Sequence, residues 1–328
     1  MVCDQSIIWT VLRFICDVSR HVTDVYHACD KVRNMIKIPD EKKIRVIIDT
    51  DAACEADDPY AIVQALLSPK LIVKGILAEH YNEKDSVKKS YDEILTILDA
   101  MDMKVPVFMG EEDPVEISGW PDKISDAADF IIKEALNDDP KPLYILCQGA
   151  ITNLAVAINK EPKIKEKVRV IWIGTHGTEK RKAPFREFNA GNDVTAANFV
   201  LESGTEIWLV PSDVYTTITV GLAELKVKVL PYGKIGKHLY ENMINYNLSP
   251  SAGWTQGESW SLGDSPAIAL AINPGCGKFE YEPAPHVSAD TTSTLRPGNP
   301  VIRVYKSVDS RYILEDFFAK LKLFHEGN

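Results

Sequence analysis

Residues 47–62 read IIDTDAACEADDPYAI. Asp49, Asp51, Glu55, Asp57 and Asp58 put five acidic side chains into the ten positions from 49 to 58. An apolar, strand-like run leads into them and an apolar, helix-like run leads away. Charges of one sign at that density repel, so either the stretch is solvated or a positive group sits among the carboxylates.

The pattern on either side repeats. IRVIID (44–49) is the continuous apolar run of a strand buried on both faces, and PYAIVQALL (59–67) follows at helical spacing. LIVKGILA, VPVFMG, PLYILCQ, VRVIWIG and EIWLVP read as further strands. Between them, SVKKSYDEILTILDAM, ISDAADFIIKEAL, ITNLAVAIN and DVTAANFVLES read as helices. Strand and helix alternate without a linker, which predicts one α/β domain over residues 41–328: an open, mostly parallel, Rossmann-like sheet with helices on both faces.

Residues 1–40 are different. Ile8, Val11, Ile15, Val18, Val22, Val25, Cys29, Val32 and Ile36 step by three and four, a heptad seam that predicts one amphipathic helix ending before Pro39. It either packs on the domain or joins copies of the chain. If it joins copies, β-branched residues at both seam positions favour more than two helices in the bundle; a homo-oligomer is the expected partner.

Composition narrows the function. The 328 residues are 45% hydrophobic, enough for a substantial core. A formal charge of −10 argues against a nucleic-acid partner and suits an enzyme of neutral or cationic ligands. The six cysteines form no C-x-x-C pair, and a cytoplasmic location with free thiols is expected. No apolar run approaches the ~20 residues of a membrane span.

In an open parallel sheet, ligands bind beyond the carboxyl ends of the strands. Asp49 and Asp51 stand at such an end, and Asp57 and Asp58 open the helix that follows. Oxygen donors gathered there point to Ca²⁺ or Mg²⁺ rather than zinc.

At this point the chain resembles a known family. IIDTDAACEADDPYAIVQALL is similar to the first-strand motif D-x-D-P-G-x-D-D of the calcium-dependent nucleoside hydrolases, with the five residues AACEA where that pattern has three. GILAEHYN, KVPVFMGEEDP, CQGAITNLAVAI, REFNAGNDVTAANFVLES and SLGDSPAIAL resemble later family motifs in the family's order, over roughly residues 44–275. The resemblance implies hydrolysis of the N-glycosidic bond of ribonucleosides. It implies a Ca²⁺ site made by Asp51, Asp58, Asp264 and the Thr152 carbonyl, with Asp51 also the general base. Asp57, Asn82 and Asp264 would bind the ribose hydroxyls, Glu187 and Asn189 the 5′-hydroxyl, and Asp49 would orient the loop.

Two departures stand out. Gly263 replaces the histidine that protonates the leaving base in some members, leaving His80, His176, Trp254 and Trp260 as candidates for leaving-group contact. Arg181 stands where a ribose-site asparagine is usual, and would contact ribose or an anionic group. Three other readings compete: a haloacid-dehalogenase-type phosphatase using DTD, a non-catalytic sugar-binding relative, and a metal-dependent structural module.

Overall fold

The computed structural model describes residues 36–178 and 183–327. Nearly all of the expected N-terminal helix, and Arg181, lie outside the described residues. Within them, residues 37–39 are not helical and Asp40–Lys42 forms a single 3-10 turn.

The sheet is built as the alternation predicts. β1 (Ile44–Thr50), β2 (Leu71–Ala78), β3 (Val107–Met109), β4 (Leu143–Cys147), β5 (Val168–Ile173) and β6 (Glu206–Val210) are the six expected strands. Two short ribbons, β7 (Thr219–Gly221) with β8 (Ser259–Ser261) and β10 (Pro285–Val287) with β11 (Ser293–Leu295), lie outside the main sheet. β9 (Gly277–Pro283) and β12 (Val301–Val308) extend it, giving the order β3-β2-β1-β4-β5-β6-β12-β9. All neighbours are parallel except β12 and β9.

Helices cover both faces. α1 (Asp58–Leu66), α2 (Ser86–Ala100), α3 (Asp126–Ala135), α4 (Thr152–Lys160), α5 (Val194–Glu202), α6 (Gly233–Asn247), α7 (Ser265–Ile272) and α8 (Ser310–Gly327) are the longer ones. Side chains alternate across a strand, so β1 feeds two cores. Val46 and Ile48 pack with Ile62 of α1 and Ile268 of α7, while Ile47 packs with Ile131 of α3 and Leu154 of α4. Burial of each such aliphatic side chain contributes roughly 1.5–3 kcal/mol.

From β1 the chain runs outward through β2 to β3, then returns to place β4 on the other side of β1. The carboxyl ends of β1 and β4 therefore diverge into loops that leave a crevice between them, the usual ligand position in such sheets. Among the described residues, no helix is long and apolar enough to cross a membrane.

Candidate active site

Three elements deliver carboxylates to that crevice. The end of β1 carries Asp51, the start of α1 carries Asp57 and Asp58, and the start of α7 carries Asp264. Both helices begin alike, with an aspartate at the N-cap and a proline in the first turn. Proline suits a first turn because its missing N–H has no partner to lose there. An N-cap aspartate ordinarily accepts from the helix backbone, yet neither Asp57 nor Asp264 makes that bond. Asp57 accepts instead from the Gly263 N–H, and its carboxylate meets that of Asp264 across the crevice. Carboxylate oxygens of Asp57, Asp58 and Asp264 all lie within 4.8 Å of each other. Asp58 is also within hydrogen-bond reach of the Asp51 carboxylate and accepts from the Thr50 hydroxyl.

The backbone is shaped around Asp51. At Gly149, just past β4, a Cβ would stand 2.7 Å from Asp51 Oδ1, so only glycine permits this approach. Behind it Asp49 accepts from Asn153 Nδ2 at 2.9 Å, and Asn153 Oδ1 accepts from the Glu111 N–H at 2.9 Å. Asp49 thus ties β1 to the start of α4 and does not line the cavity.

The electrostatic cost of this arrangement is large. Burial pushes the carboxyls of Asp51, Asp57 and Asp264 well above the usual range, and the neighbouring carboxylates push them further. Burial raises Asp58 to about 6, Glu55 to about 7 and Asp49 to about 7. Arg186 is the one cationic side chain among the described cavity-lining residues. Its guanidinium is spent on the carbonyls of Ala289 and Gly191. A cluster of oxygen donors without a countercharge fits a hard divalent cation. The Cys54 thiol also lines the cavity, but burial and then the charge of Asp51 raise its pKa, which keeps it protonated and a poor ligand.

The cavity has a volume of about 510 Å³, ordinary for a small-molecule site. Of the sequence-predicted residues, Asp51, Asp57, Asp58, Asn189 and Asp264 line it. Asn189 donates its Nδ2 to the carbonyls of Gln148 (2.9 Å) and Ile173 (2.8 Å), pinning the ends of β4 and β5. Thr152, Asn82, Glu187 and Trp260 do not line it. The Thr152 hydroxyl donates to Asp193 (2.9 Å) and sits 2.8 Å from His80 Nε2. Asn82 is exposed beyond β2 at φ 63°. Trp260 is buried in β8 against Trp254 and Tyr246, while Trp254 itself reaches the cavity. Neither histidine candidate reaches it. His80 is buried and pushed down to about 4 by that burial, and both nitrogens of His176 are engaged, by Ser212 Oγ and the Phe185 carbonyl.

Two cavity residues have no signal in the sequence. Gln148, at the end of β4, is 1% exposed, and neither its Oε1 nor its Nε2 has a partner. Tyr215, in the short helix Ser212–Tyr215, lies beside Gly263. Gln148 lies inside the quoted motif CQGAITNLAVAI but is a neutral residue that the motif does not single out, and Tyr215 lies in an unremarked stretch.

Residues 46–315 match the family model described as inosine-uridine preferring nucleoside hydrolase. The chain belongs to this family. Its relatives include an uncharacterised Schizosaccharomyces pombe protein, 28% identical over 52% of this chain and 62% of its own length. The probable uridine nucleosidase 2 of Oryza sativa subsp. japonica is 26% identical over 60% of this chain and 64% of its own. The chain thus spans just under two thirds of these two relatives. The pyrimidine-specific ribonucleoside hydrolase RihA of Salmonella arizonae is 26% identical over 64% of this chain and 74% of its own. Among solved structures, a purine-preferring ribonucleoside hydrolase from Gardnerella vaginalis superposes with a TM-score of 0.71 at 22% identity. That match covers 86% of this chain and 99% of the other. A plant nucleoside hydrolase gives 0.71 at 21% identity, over 85% and 98%. These last two establish the nucleoside hydrolase fold, and the family match removes the phosphatase reading of DTD.

Proposed function

We propose that the chain is an N-ribohydrolase that cleaves ribonucleosides to free base and ribose, with Ca²⁺ as its cation. The observation that carries this reading is the buried, uncompensated cluster of Asp51, Asp57, Asp58 and Asp264 lining a nucleoside-sized cavity. Asp51, Asp58 and Asp264 would hold the cation, and Gln148, whose buried Oε1 has no partner, would supply the neutral oxygen donor. When bound, such an ion positions the attacking water and lowers its pKa.

The protein's own groups do the rest. Breaking an N-glycosidic bond builds positive charge on the ribose ring, which fixed carboxylates stabilise in a water-poor site. Asp51, buried at the end of β1, lining the cavity and within reach of Asp58, would accept the proton of the attacking water. Asp57 and Asp264 accept from the ribose hydroxyls. The exposed Asn82, the buried Trp260 and Arg181 are given no contact. With glycine at 263 and both candidate histidines turned away, substrates with good leaving groups are favoured. The free thiols of Cys54, Cys147 and Cys276 suit a reducing cytoplasm, and the heptad seam of residues 8–36 suits a homo-oligomer.

The test is a panel of nucleosides and nitrophenyl riboside, with Ca²⁺ and with chelator, scored by free ribose. Ca²⁺-dependent release is expected. Saturable ribose binding with no release from any riboside would leave a sugar-binding relative instead.

A further inference from the structure

Gln148 is an open polar group in the floor of the cavity. Asp49 of β1 pairs with Cys147 of β4, and Cys147 pairs with Trp172 of β5. One residue further on, Thr50, Gln148 and Ile173 therefore stand side by side with their side chains on the opposite face. The Thr50 hydroxyl donates to Asp58 at the acidic end, and Ile173 lines the cavity with Phe185 and Phe188. Gln148 lies between them, its backbone one strand spacing, about 4.8 Å, from each.

Its backbone is clamped and its side chain is not. The Gln148 N–H donates to the Asp49 carbonyl at 2.8 Å, and its carbonyl accepts from Asn189 Nδ2 at 2.9 Å. The next carbonyl, that of Gly149, accepts from Trp172 Nε1 at 3.1 Å. The Gln148 side chain lines the cavity almost fully buried, yet neither Oε1 nor Nε2 has a partner. Buried polar side chains are nearly always hydrogen-bonded, so an amide left open on a clamped backbone, toward a cavity, marks a place where a ligand binds. Asn189 lines the same cavity, and with its Nδ2 spent on the Gln148 and Ile173 carbonyls its Oδ1 is left without a partner among the described residues.

The part of the substrate that meets Gln148 follows from the chemistry. The anomeric carbon has to come within roughly 3–3.5 Å of the water that Asp51 deprotonates. Gly149, the residue after Gln148, packs against Asp51 Oδ1. The sugar therefore lies over this part of the floor, whichever way round its ring is turned, and its hydroxyls are the polar groups it brings there. A hydroxyl both accepts and donates, which suits an open amide beside an open Asn189 Oδ1. With Gln148 Oε1 given to the cation, Nε2 is the donor that remains.

We infer that Gln148 is a specificity-determining residue whose Nε2 donates to a ribose hydroxyl of the substrate, so that the site rejects the deoxy-sugar analogue lacking that hydroxyl. The inference rests on the N-ribohydrolase reading.

The experiment is a cycle between the residue and the hydroxyl. It measures kcat/KM for nitrophenyl riboside and its 2-deoxy, 3-deoxy and 5-deoxy counterparts, with wild type and with Gln148→Met, which keeps the length of the side chain and removes the amide. A loss common to all four substrates, such as weaker cation binding, cancels in the ratios. For one of the three missing hydroxyls, the wild-type penalty is expected to shrink about tenfold or more in Gln148→Met, because the open amide that the deoxy substrate strands is gone. Since the amide has no protein partner, Gln148→Met is also expected to melt at or above the wild-type temperature. Three unchanged penalties overturn the inference. So does a Gln148→Met that fails to fold or melts several degrees lower, which would make the amide part of the fold. If wild type cleaves no riboside, the N-ribohydrolase reading falls. Calorimetry with ribose and its three deoxy forms then applies the same cycle to binding, and equal affinity ratios in wild type and Gln148→Met overturn the inference.

Discussion

The Asp51 carboxylate lies against the Gly149 backbone with no space to spare. Gly149→Ala should displace it, and a shift of about 1 Å in a reacting group can cost on the order of 10²-fold in rate. A kcat/KM on an accepted riboside within threefold of wild type would contradict that placement. Asp51→Ala should go further, losing the roughly 10²–10⁴-fold of a general base and weakening Ca²⁺ binding measured by calorimetry. Retained turnover would sink the mechanism proposed for this residue. The acidic members of the site are legible in the sequence because charge in an apolar setting is conspicuous. Gln148 and Tyr215 are not, since a neutral side chain acquires meaning only from what it faces. Glu187 shows the converse: its motif is legible, but its burial under Tyr215 depends on a residue 28 positions away.

Strands β1, β2, β4, β5 and β6 are legible because both faces of the sheet are covered, which forces apolar runs, and the three-residue, half-buried β3 is legible only from the apolar VPVFMG around it. The elements beyond residue 211 are harder to read. β7, β8, β10 and β11 are three residues each, too short for any period to register. β9 is an edge strand with exposed positions interleaved, and reads as polar chain. One anchor of the predicted sheet is polar. Arg45 on β1 is buried, and its Nη1 donates to Glu134 Oε1 of α3 at 2.9 Å and to the Glu134 carbonyl at 3.1 Å. Glu134→Ala removes one of two carboxylates beside that guanidinium, Asp139 remaining 3.7 Å from Nε, and should cost about 1.5–3 kcal/mol, the scale of a hydrogen bond to a charged group. Urea unfolding monitored by circular dichroism checks this, and a loss below about 1 kcal/mol would place the anchor elsewhere.

The whole molecule carries the strain of the carboxylate cluster as a pH dependence. In the unfolded chain these groups titrate near about 4, whereas in the fold Asp58 holds its proton up to about 6, and Glu55 and Asp49 up to about 7. Between those limits the folded protein binds more protons than the unfolded one. The stability contribution is therefore complete below about pH 4 and lost as pH rises through 6 to 7. Chelated protein should melt at a lower temperature at pH 8 than at pH 5, and Ca²⁺ should raise the melting temperature more at pH 8. An equal Ca²⁺ effect at both values would argue that the cation binds elsewhere. Because the family match begins at residue 46, deleting residues 1–38 should leave a folded, Ca²⁺-binding domain and reduce the assembly size in light scattering. An unfolded product would make that segment part of the core.

The order of synthesis gives the cluster a second meaning. Asp51, Asp57 and Asp58 emerge from the ribosome early, and Asp264 only after β8. Until then the nascent chain holds most of the repelling charges without the residue that completes the ring. A product that stops before α7 lacks Asp264, one of the three carboxylates grouped there.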